Sequence, residues 1–331
     1  MPPIDAQWLG QVREDAIDPE RPLVDAHHHL WEFPGSTYLA ADLLDDLSDH
    51  RVEQTVFVEC GAGYHSGGDK HLQPVGETLF VANIAGASTG ATGIAAGIVG
   101  FADLLRGDAA SEVLDAHVQA SPDRFRGIRH SGAWHPHESI RKSHSDPPPQ
   151  MYLRDDFRAG FALLAPRGLS FDAWCFHTQL PELADLARAF PDTTIVLDHV
   201  GGPLGIGPYR GRRDEVYEDW QAGITALAAC ANVHVKLGGL GMAISGFGWH
   251  RAERPPGSQE LAAAWSPWFH HCIERFGTER CVFESNFPVD KVSCSYTVMW
   301  NAFKTIAARY SQAQQDAMLH DNATRLYRLG A

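Results

Sequence analysis

The chain has 331 residues, 44% of them hydrophobic, enough for one large core or two ordinary ones. Its formal net charge of −14 argues against nucleic-acid and anionic-membrane partners, since the basic cluster of Arg210, Arg212 and Arg213 is followed at once by Asp214, Glu215, Glu218 and Asp219. Six scattered cysteines without a Cys-x-x-Cys pair, a polar N-terminus and no apolar run of bilayer-spanning length predict a soluble, cytoplasmic protein with free thiols.

Residues 1–20 read as an arm with a short helix at most, ahead of one domain over 21–331. The first apolar, β-rich run is Leu23–His29, and Leu43, Leu44 and Leu47 then repeat at helical spacing within Ala40–His50. Strands follow at Gln54–Cys60, Ala95–Ala102, Phe125–His130, Ser170–Phe176, Thr194–Leu197, Val233–Leu237 and Arg280–Glu284. Helical patterns separate them at Pro74–Ala87, Ser111–Ala120, Asp155–Leu164, Leu180–Phe190, Tyr217–Cys230 and Leu261–Phe276. Ser295–Tyr310 and Gln312–Leu329 close the chain as helices, and residues 131–152, rich in His, Pro and Ser, form a long loop. Eight near-continuous apolar strands alternating with helices predict a (β/α)8 barrel, with a doubly wound sheet as the alternative.

In such a barrel the chemistry sits at the C-terminal ends of the strands. His29, Glu59, Asp103, His130, His177, His199, Lys236 and Asn286 all fall at or near those ends. One histidine there is ordinarily structural; four strand ends carrying His point to a site. In Asp25-Ala26-His27-His28-His29, strand alternation sends His27 and His29 to one face and His28 to the other. Two adjacent imidazoles at a strand end can hold a divalent metal.

Six segments carry a further signal. Asp25-Ala26-His27-His28-His29-Leu30-Trp31, Gly100-Phe101-Ala102-Asp103-Leu104, Gly127-Ile128-Arg129-His130, Leu197-Asp198-His199-Val200-Gly201, Val235-Lys236-Leu237-Gly238-Gly239-Leu240 and Asp321-Asn322-Ala323-Thr324-Arg325-Leu326-Tyr327 occur in this order. Together they resemble the amidohydrolase-related family, in its branch of sugar lactonases and muconolactone-type hydrolases, from about residue 22 to 329. The resemblance implies a TIM barrel with His27, His29 and His177 on one divalent metal, Zn²⁺ first, and with His199 facing a small-molecule substrate. Pyrone-type lactonases resemble this arrangement but work without a metal, so a metal-free site is also implied, and a homo-oligomer is compatible with either.

The chain departs from the family on the eighth strand, where Glu284-Ser285-Asn286-Phe287-Pro288 puts Asn286 at the position of the proton-accepting Asp. An amide cannot accept a proton at neutral pH, though its oxygen can hold a metal or a water. Three readings follow. Glu284, on the same face as Asn286, takes over as a base with a raised pKa, or else pairs structurally with Lys236 or Arg129. His199 acts as base, with Asp198 expected on the opposite face. Or the site has drifted to another reaction or to ligand binding alone. Arg129, His130, Lys236, Glu59 and Trp134 are the expected substrate contacts, and Asp290 with Lys291 is expected as a solvated pair at the rim. The expected activity is hydrolysis of a lactone or ester C–O bond. Decarboxylation of an aromatic or unsaturated acid is the enzymatic alternative, and a non-catalytic small-ligand barrel the alternative of another class.

Overall fold

The structure, a computed structural model, describes residues 4–330. Its strands are β1 (Leu23–His28), β2 (Trp31–Phe33), β3 (Ser36–Tyr38), β4 (Val52–Val58), β5 (Gly93–Gly100), β6 (Phe125–Ile128), β7 (Ser170–Ala173), β8 (Ile195–Leu197), β9 (Val233–Leu237) and β10 (Cys281–Phe283). β1 and β4 to β10 form one eight-stranded parallel sheet in chain order. The sheet nearly closes on itself. His29 N–H donates to Phe287 O at 2.8 Å and Asn286 N–H to His27 O at 2.8 Å, across a parallel bridge between His28 and Phe287. Asp25 adds a side-chain clasp, accepting from Ser285 N–H (2.9 Å), Ser285 Oγ–H (2.6 Å) and Tyr296 O–H (3.2 Å).

The predicted alternation therefore stands: every predicted strand is present, within a few residues at its ends, and helices lie between strands. They include α1 (Ala6–Leu9), α2 (Ala40–Leu47), α3 (Val75–Ala87), α4 (Ser111–Ala120), α5 (Asp155–Phe161), α6 (Leu180–Ala189), α7 (Arg213–Ala228), α8 (Ser258–Phe276) and α9 (Tyr296–Ala307). Two features differ. The segment after the first strand folds as an antiparallel hairpin, β2–β3, turned by Pro34-Gly35 with Gly35 at φ 78°. The single helix expected over 312–329 is three pieces, Gln312–Asp316, a π-helical turn at Ala317–Asp321 and Asn322–Leu326.

Strand residues divide between two cores. Leu23, Phe57, Ile98, Phe171, Ile195, Val235 and Phe283 pack outward under the helices. Val24, Val56, Val58, Val99, Val196 and Val282 fill the barrel together with Tyr327 and Leu329 of the C-terminal segment. That segment plugs the N-terminal end of the barrel, and Tyr327 O–H reaches up to Asp172 Oδ2 at 2.8 Å. The interior is thus packed below, and polar side chains collect above. The arm is fastened across the outside: Asn301 Nδ2–H donates to Glu14 (3.0 Å), and Lys304 Nζ–H to the carbonyls of Ile17 (2.7 Å) and Asp18 (2.8 Å). Among the described residues no helix is long and apolar enough to cross a membrane.

Candidate active site at the barrel mouth

The first strand delivers its histidines through an irregularity. Asp25 pairs with Thr55 and His28 with Phe57, so β1 spends three residues where β4 spends two. Val24 and Ala26 face inward below this step, and His27 and His29 face inward above it. His28 turns outward onto Thr55 Oγ1 (2.8 Å) and the Phe57 ring, as alternation predicts. Inside, His27 Nε2 and His29 Nε2 are 3.3 Å apart, and Asn286 Oδ1 is 3.3 Å from His29 Nε2. His29 Nδ1–H donates to Val58 O at 2.7 Å, so its Nε2 is a lone pair. Burial, reinforced by Arg129, holds the His29 imidazole neutral, with its pKa down at about 3, and burial next to Lys236 drives that of His27 well below its usual value.

Glu284 projects inward from just beyond β10. Its Oε1 takes His199 Nδ1–H at 2.6 Å and His199 N–H at 3.0 Å. Its Oε2 lies 2.9 Å from His27 Nδ1 but out of line with any donor, a buried oxygen without a hydrogen-bond partner among the described residues. The raised pKa expected for Glu284 is corrected here. Burial does push the carboxyl up, but His199 and His27 outweigh it and hold it at about 2. A carboxylate that acidic is a poor proton acceptor and a good orienting partner. Neither Lys236 nor Arg129 is its hydrogen-bond partner. Lys236 Nζ binds Asp172 (2.7 Å), Asp198 (3.0 Å) and His27 Nδ1 (3.0 Å), while Arg129 Nε binds Glu59 Oε1 at 2.7 Å.

His199 reaches the site by a route that strand alternation does not predict. Val196 and Asp198 are the inward residues of the β8 run. His199 and Val200 then take φ of 54° and 47°, a left-handed turn that swings the imidazole back over the mouth. Gly239, at φ 73°, backs it, where a Cβ would overlap the His199 side chain. Asp198 and His199 therefore share the site rather than opposite faces. Asp198 is buried against Lys236, His27 (3.5 Å) and Arg129 (3.8 Å). Burial opposes its ionisation, but Lys236, His199 and Arg129 hold its carboxyl below the usual range. His199 Nε2 has no hydrogen-bond partner among the described residues, and the Trp174 ring stands 4.8 Å away.

Several other expectations are redrawn. His177 is not brought to His27 and His29. Asp172 and Trp174 are the inward residues of the β7 run, and His177 lies beyond the strand in a short turn, taking Leu204 N–H on Nδ1 (3.3 Å) and meeting the Tyr209 ring at 5.1 Å. His130 points away from the centre, accepts Leu104 N–H at 3.2 Å and packs on Phe101 and Phe157, so it supports a turn instead of lining the mouth. Glu59 is present, but as the partner of Arg129 and of His144 Nε2 (2.8 Å) from the 131–152 loop; burial opposes the low pKa of about 2 that those two cations impose. Trp134 sits half-buried in that loop, its N–H on Gln179. Asp290 is not a rim residue: it is fully buried, accepting Asn286 Nδ2–H (3.1 Å) and Gly241 N–H (3.1 Å), and burial raises its carboxyl to about 7. Lys291 pairs instead with Asp46 at 2.7 Å.

The donors at this centre fit a divalent cation. His27, His199 and Glu284 offer atoms all within 4.8 Å of one another. His29 Nε2 and Asn286 Oδ1 face each other as lone pairs, and Glu284 Oε2 is orphaned. Charge agrees: Arg129, Lys236 and His144 stand against Glu59, Asp172, Asp198 and Glu284, three positive groups against four negative, with His27 held neutral. A buried excess of this kind calls for protons or a cation. His27 Nε2, His29 Nε2 and Asn286 Oδ1 could hold one on one side of the His27 ring, and His27, His199 and Glu284 on the other, in either case a mixed nitrogen and oxygen set suited to a metal of zinc type.

A parallel eight-stranded barrel with an imidazole-rich mouth defines a class, and the family described as amidohydrolase matches residues 24–329. The chain belongs to that family and is a hydrolase. It is 32% identical over 329 residues to the uncharacterized protein y4mH of Sinorhizobium fredii, covering 93% of this chain and 98% of that one. It is 26% identical over 318 residues to an L-fucono-1,5-lactonase of Burkholderia multivorans, covering 92% and 96%. Among solved structures, an amidohydrolase from Burkholderia multivorans with bound zinc is similar at a TM-score of 0.73 and 23% identity, over 93% of this chain and 99% of that chain. The 2,6-dihydroxybenzoate decarboxylase from Rhizobium is similar at 0.58 and 13%, over 94% and 99%. At these identities the structures speak for the fold alone.

Proposed function

We propose that this protein hydrolyses a lactone at the C-terminal mouth of the barrel, with His199 as the proton carrier and Glu284 as its orienting carboxylate. The observation that carries the reading is the 2.6 Å contact from His199 Nδ1 to Glu284, which leaves Nε2 as the basic atom facing the mouth. His199 Nε2 takes a proton from water as the oxygen attacks the lactone carbonyl. The resulting imidazolium, balanced by Glu284, returns that proton to the ring oxygen as the C–O bond breaks, giving a hydroxy acid. A bound divalent cation supplies carbonyl polarisation and acidifies water. His27, His29 and the amide oxygen of Asn286 would hold it, and zinc is the first candidate because a zinc-bearing relative shares the fold. The relatives named L-fucono-1,5-lactonase support a sugar lactone as the substrate class.

The test combines elemental analysis with a lactone panel. A stoichiometric divalent metal, activity lost on chelation and restored on adding the metal back, is the expected result. Full turnover by metal-free protein would overturn the metal assignment, and release of CO₂ from aromatic acids without lactone turnover would overturn the reaction.

A further inference from the structure

The end of the barrel away from the mouth holds a second cavity, of about 290 Å³, between the C-terminal plug and the N-terminal ends of β8 to β10. Three guanidinium groups line it, those of Arg280, Arg325 and Arg328, with Glu279 as the one carboxylate. In a chain of net charge −14 this is a local reversal of sign. The positive groups have no counter-ions. Arg280 spends its donors on the carbonyl oxygens of Ala228 (2.9 Å), Cys230 (2.8 Å), Val233 (3.1 Å) and Phe276 (3.0 Å). Arg325 Nη2–H donates to Glu279 O (3.3 Å) and Asn322 Oδ1 (2.8 Å), and the Arg328 side chain has no partner among the described residues. The Glu279 carboxylate meets the Thr278 hydroxyl at 3.3 Å and forms no salt bridge among them. His234, two residues below Lys236 on the inward row of β9, belongs to the same wall. Neither of its ring nitrogens is hydrogen-bonded among the described residues, and neither is sealed from solvent. Burial lowers its pKa to about 4, and Arg280 and Arg325 push the same way, with no acid opposing them. Arg328 takes φ of 49° just past the last helix, a left-handed position that glycine commonly fills. Burial, and next Arg328, hold the Arg126 guanidinium of β6 below its usual pKa against the pull of Asp123, so the cluster of like charge extends past the cavity itself. Like charges gathered round a cavity without acids to balance them make a place for an anion.

We propose that this cavity binds a small dianionic oxyanion, phosphate or the phosphate group of a small metabolite, held by Arg325, Arg328 and His234. Guanidinium groups pair with phosphate oxygens through parallel N–H···O bonds. Three of them against one carboxylate leave an excess of two positive charges, close to the roughly −1.5 to −2 that a phosphate monoester carries at pH 7. The cavity is bounded by strand ends and by the plug, so it suits one ion or head group and not the extended backbone of a nucleic acid. Arg325 and Arg328 belong to the plug and His234 to β9, so the bound ion ties the plug to the barrel wall. The site is independent of the reaction at the mouth.

Titration calorimetry of the full-length protein with inorganic phosphate, in chloride buffer of matched ionic strength, tests the site, with glycerol 3-phosphate as the second probe. The expected result is one phosphate per chain with a Kd on the order of 0.1–1 mM, weakened about ten-fold or more in Arg328→Gln and in His234→Gln. Arg328 is exposed and unpartnered among the described residues, so Arg328→Gln should fold as wild type does, and thermal denaturation in chloride checks both variants. Glycerol 3-phosphate that binds as tightly and competes with phosphate assigns the site to a phosphate ester; binding of inorganic phosphate alone assigns it to the free ion. Phosphate should also raise the Tm of wild type more than that of either variant. Phosphate stabilises proteins in general as an excluded salt, so an equal rise in all three overturns the site. No saturable binding of either probe, or binding unchanged in either variant, overturns it too, since an ion held at the mouth would survive both substitutions.

Discussion

Exchanging Asn286 and Asp290 tests how this chain lost the family's carboxylate. Asn286 Nδ2–H donates to Asp290 Oδ1 at 3.1 Å, both residues are buried, and Asp290 Oδ2 is taken by Gly241 N–H. Restoring the family residue alone, Asn286→Asp, sets two carboxylate oxygens about 3 Å apart, where unit charges repel by roughly 5 kcal/mol at an effective dielectric constant of about 20. The pair then keeps one proton. Asp290 already ionises late, at about 7, because of burial. A carboxyl whose folded pKa lies above its unfolded value contributes stability at low pH and loses it as pH rises through the folded pKa. In the wild type that loss ends near pH 7; in Asn286→Asp it runs on, by about 1.4 kcal/mol per further pH unit. Urea denaturation at pH 6 and pH 8 is the assay, with a small difference from wild type at the lower pH and a clear loss at the higher. In the double variant Asn286→Asp/Asp290→Asn, the amide at 290 donates to the new carboxylate and accepts from Gly241, so stability returns to within about 1 kcal/mol of wild type. Chelator competition should also show tighter metal retention in the double variant, because a carboxylate replaces an amide beside His29. A single variant as stable as wild type at pH 8, or a double variant no better than the single, refutes the reasoning.

Other outcomes follow from the same contacts. His199→Asn and Glu284→Gln should each fold and lower kcat by roughly 10²–10⁴-fold, with His199→Asn the more severe because it removes the proton carrier itself; steady-state kinetics on a lactone checks this, and near-normal kcat in both would reject the dyad. Glu77 is fully buried, its Oε1 accepts the N–H groups of Cys60 and Ala62, and burial with nearby Glu59 raises its carboxyl to about 7. Wild-type stability relative to Glu77→Gln should therefore fall as pH rises from 5 to 8, read as a widening gap in Tm. Asp25→Ala removes the acceptor for Ser285 and Tyr296 at the closing edge of the barrel and should cost about 3 kcal/mol or more in denaturation; a loss below about 1 kcal/mol would show that the backbone bonds close the barrel alone.

Strand and helix positions were legible in the sequence because burial on both faces leaves apolar runs that are hard to mistake. The Trp31–Tyr38 hairpin was not, being too short to show a period, although Pro34-Gly35 was a usable turn signal. The site was legible where side chains follow strand alternation. Glu284 and Lys236 face inward as parity predicts, and so do His27 and His29, although it is the irregular pairing at Asp25 that brings them in; Asn286 also faces inward, but from a left-handed residue at φ 54° beyond the strand. It was illegible where the backbone leaves the strand. The left-handed turn at His199 and Val200 admits both Asp198 and His199, and no pattern of hydrophobicity announces it. Parity would have served better at β7, where it selects Trp174 over His177. Asp290 was misjudged because a charged pair at a strand exit is ordinarily solvated, and its burial depends on long-range contacts with Gly241 and Asn286.

The charge pattern at the mouth bears on the kind of substrate. A metal-free lactonase of the pyrone type uses arginine to clamp an anion, and decarboxylation likewise begins with a substrate carboxylate inside the barrel. Here an anionic substrate would have to displace Glu59 from Arg129, or Asp172 and Asp198 from Lys236, and would enter a centre that already carries more acids than bases. Burying a further negative charge there is costly unless a cation arrives with it. A neutral lactone meets no such cost. The product of a metal-free reaction would meet it, whereas a divalent cation held at the centre would balance the acids there and compensate the new carboxylate. Raising the salt concentration should leave KM for a neutral lactone nearly unchanged, since the charges concerned are buried and screened little. A steep salt dependence of KM would instead indicate an anionic substrate drawn in by cations at the rim.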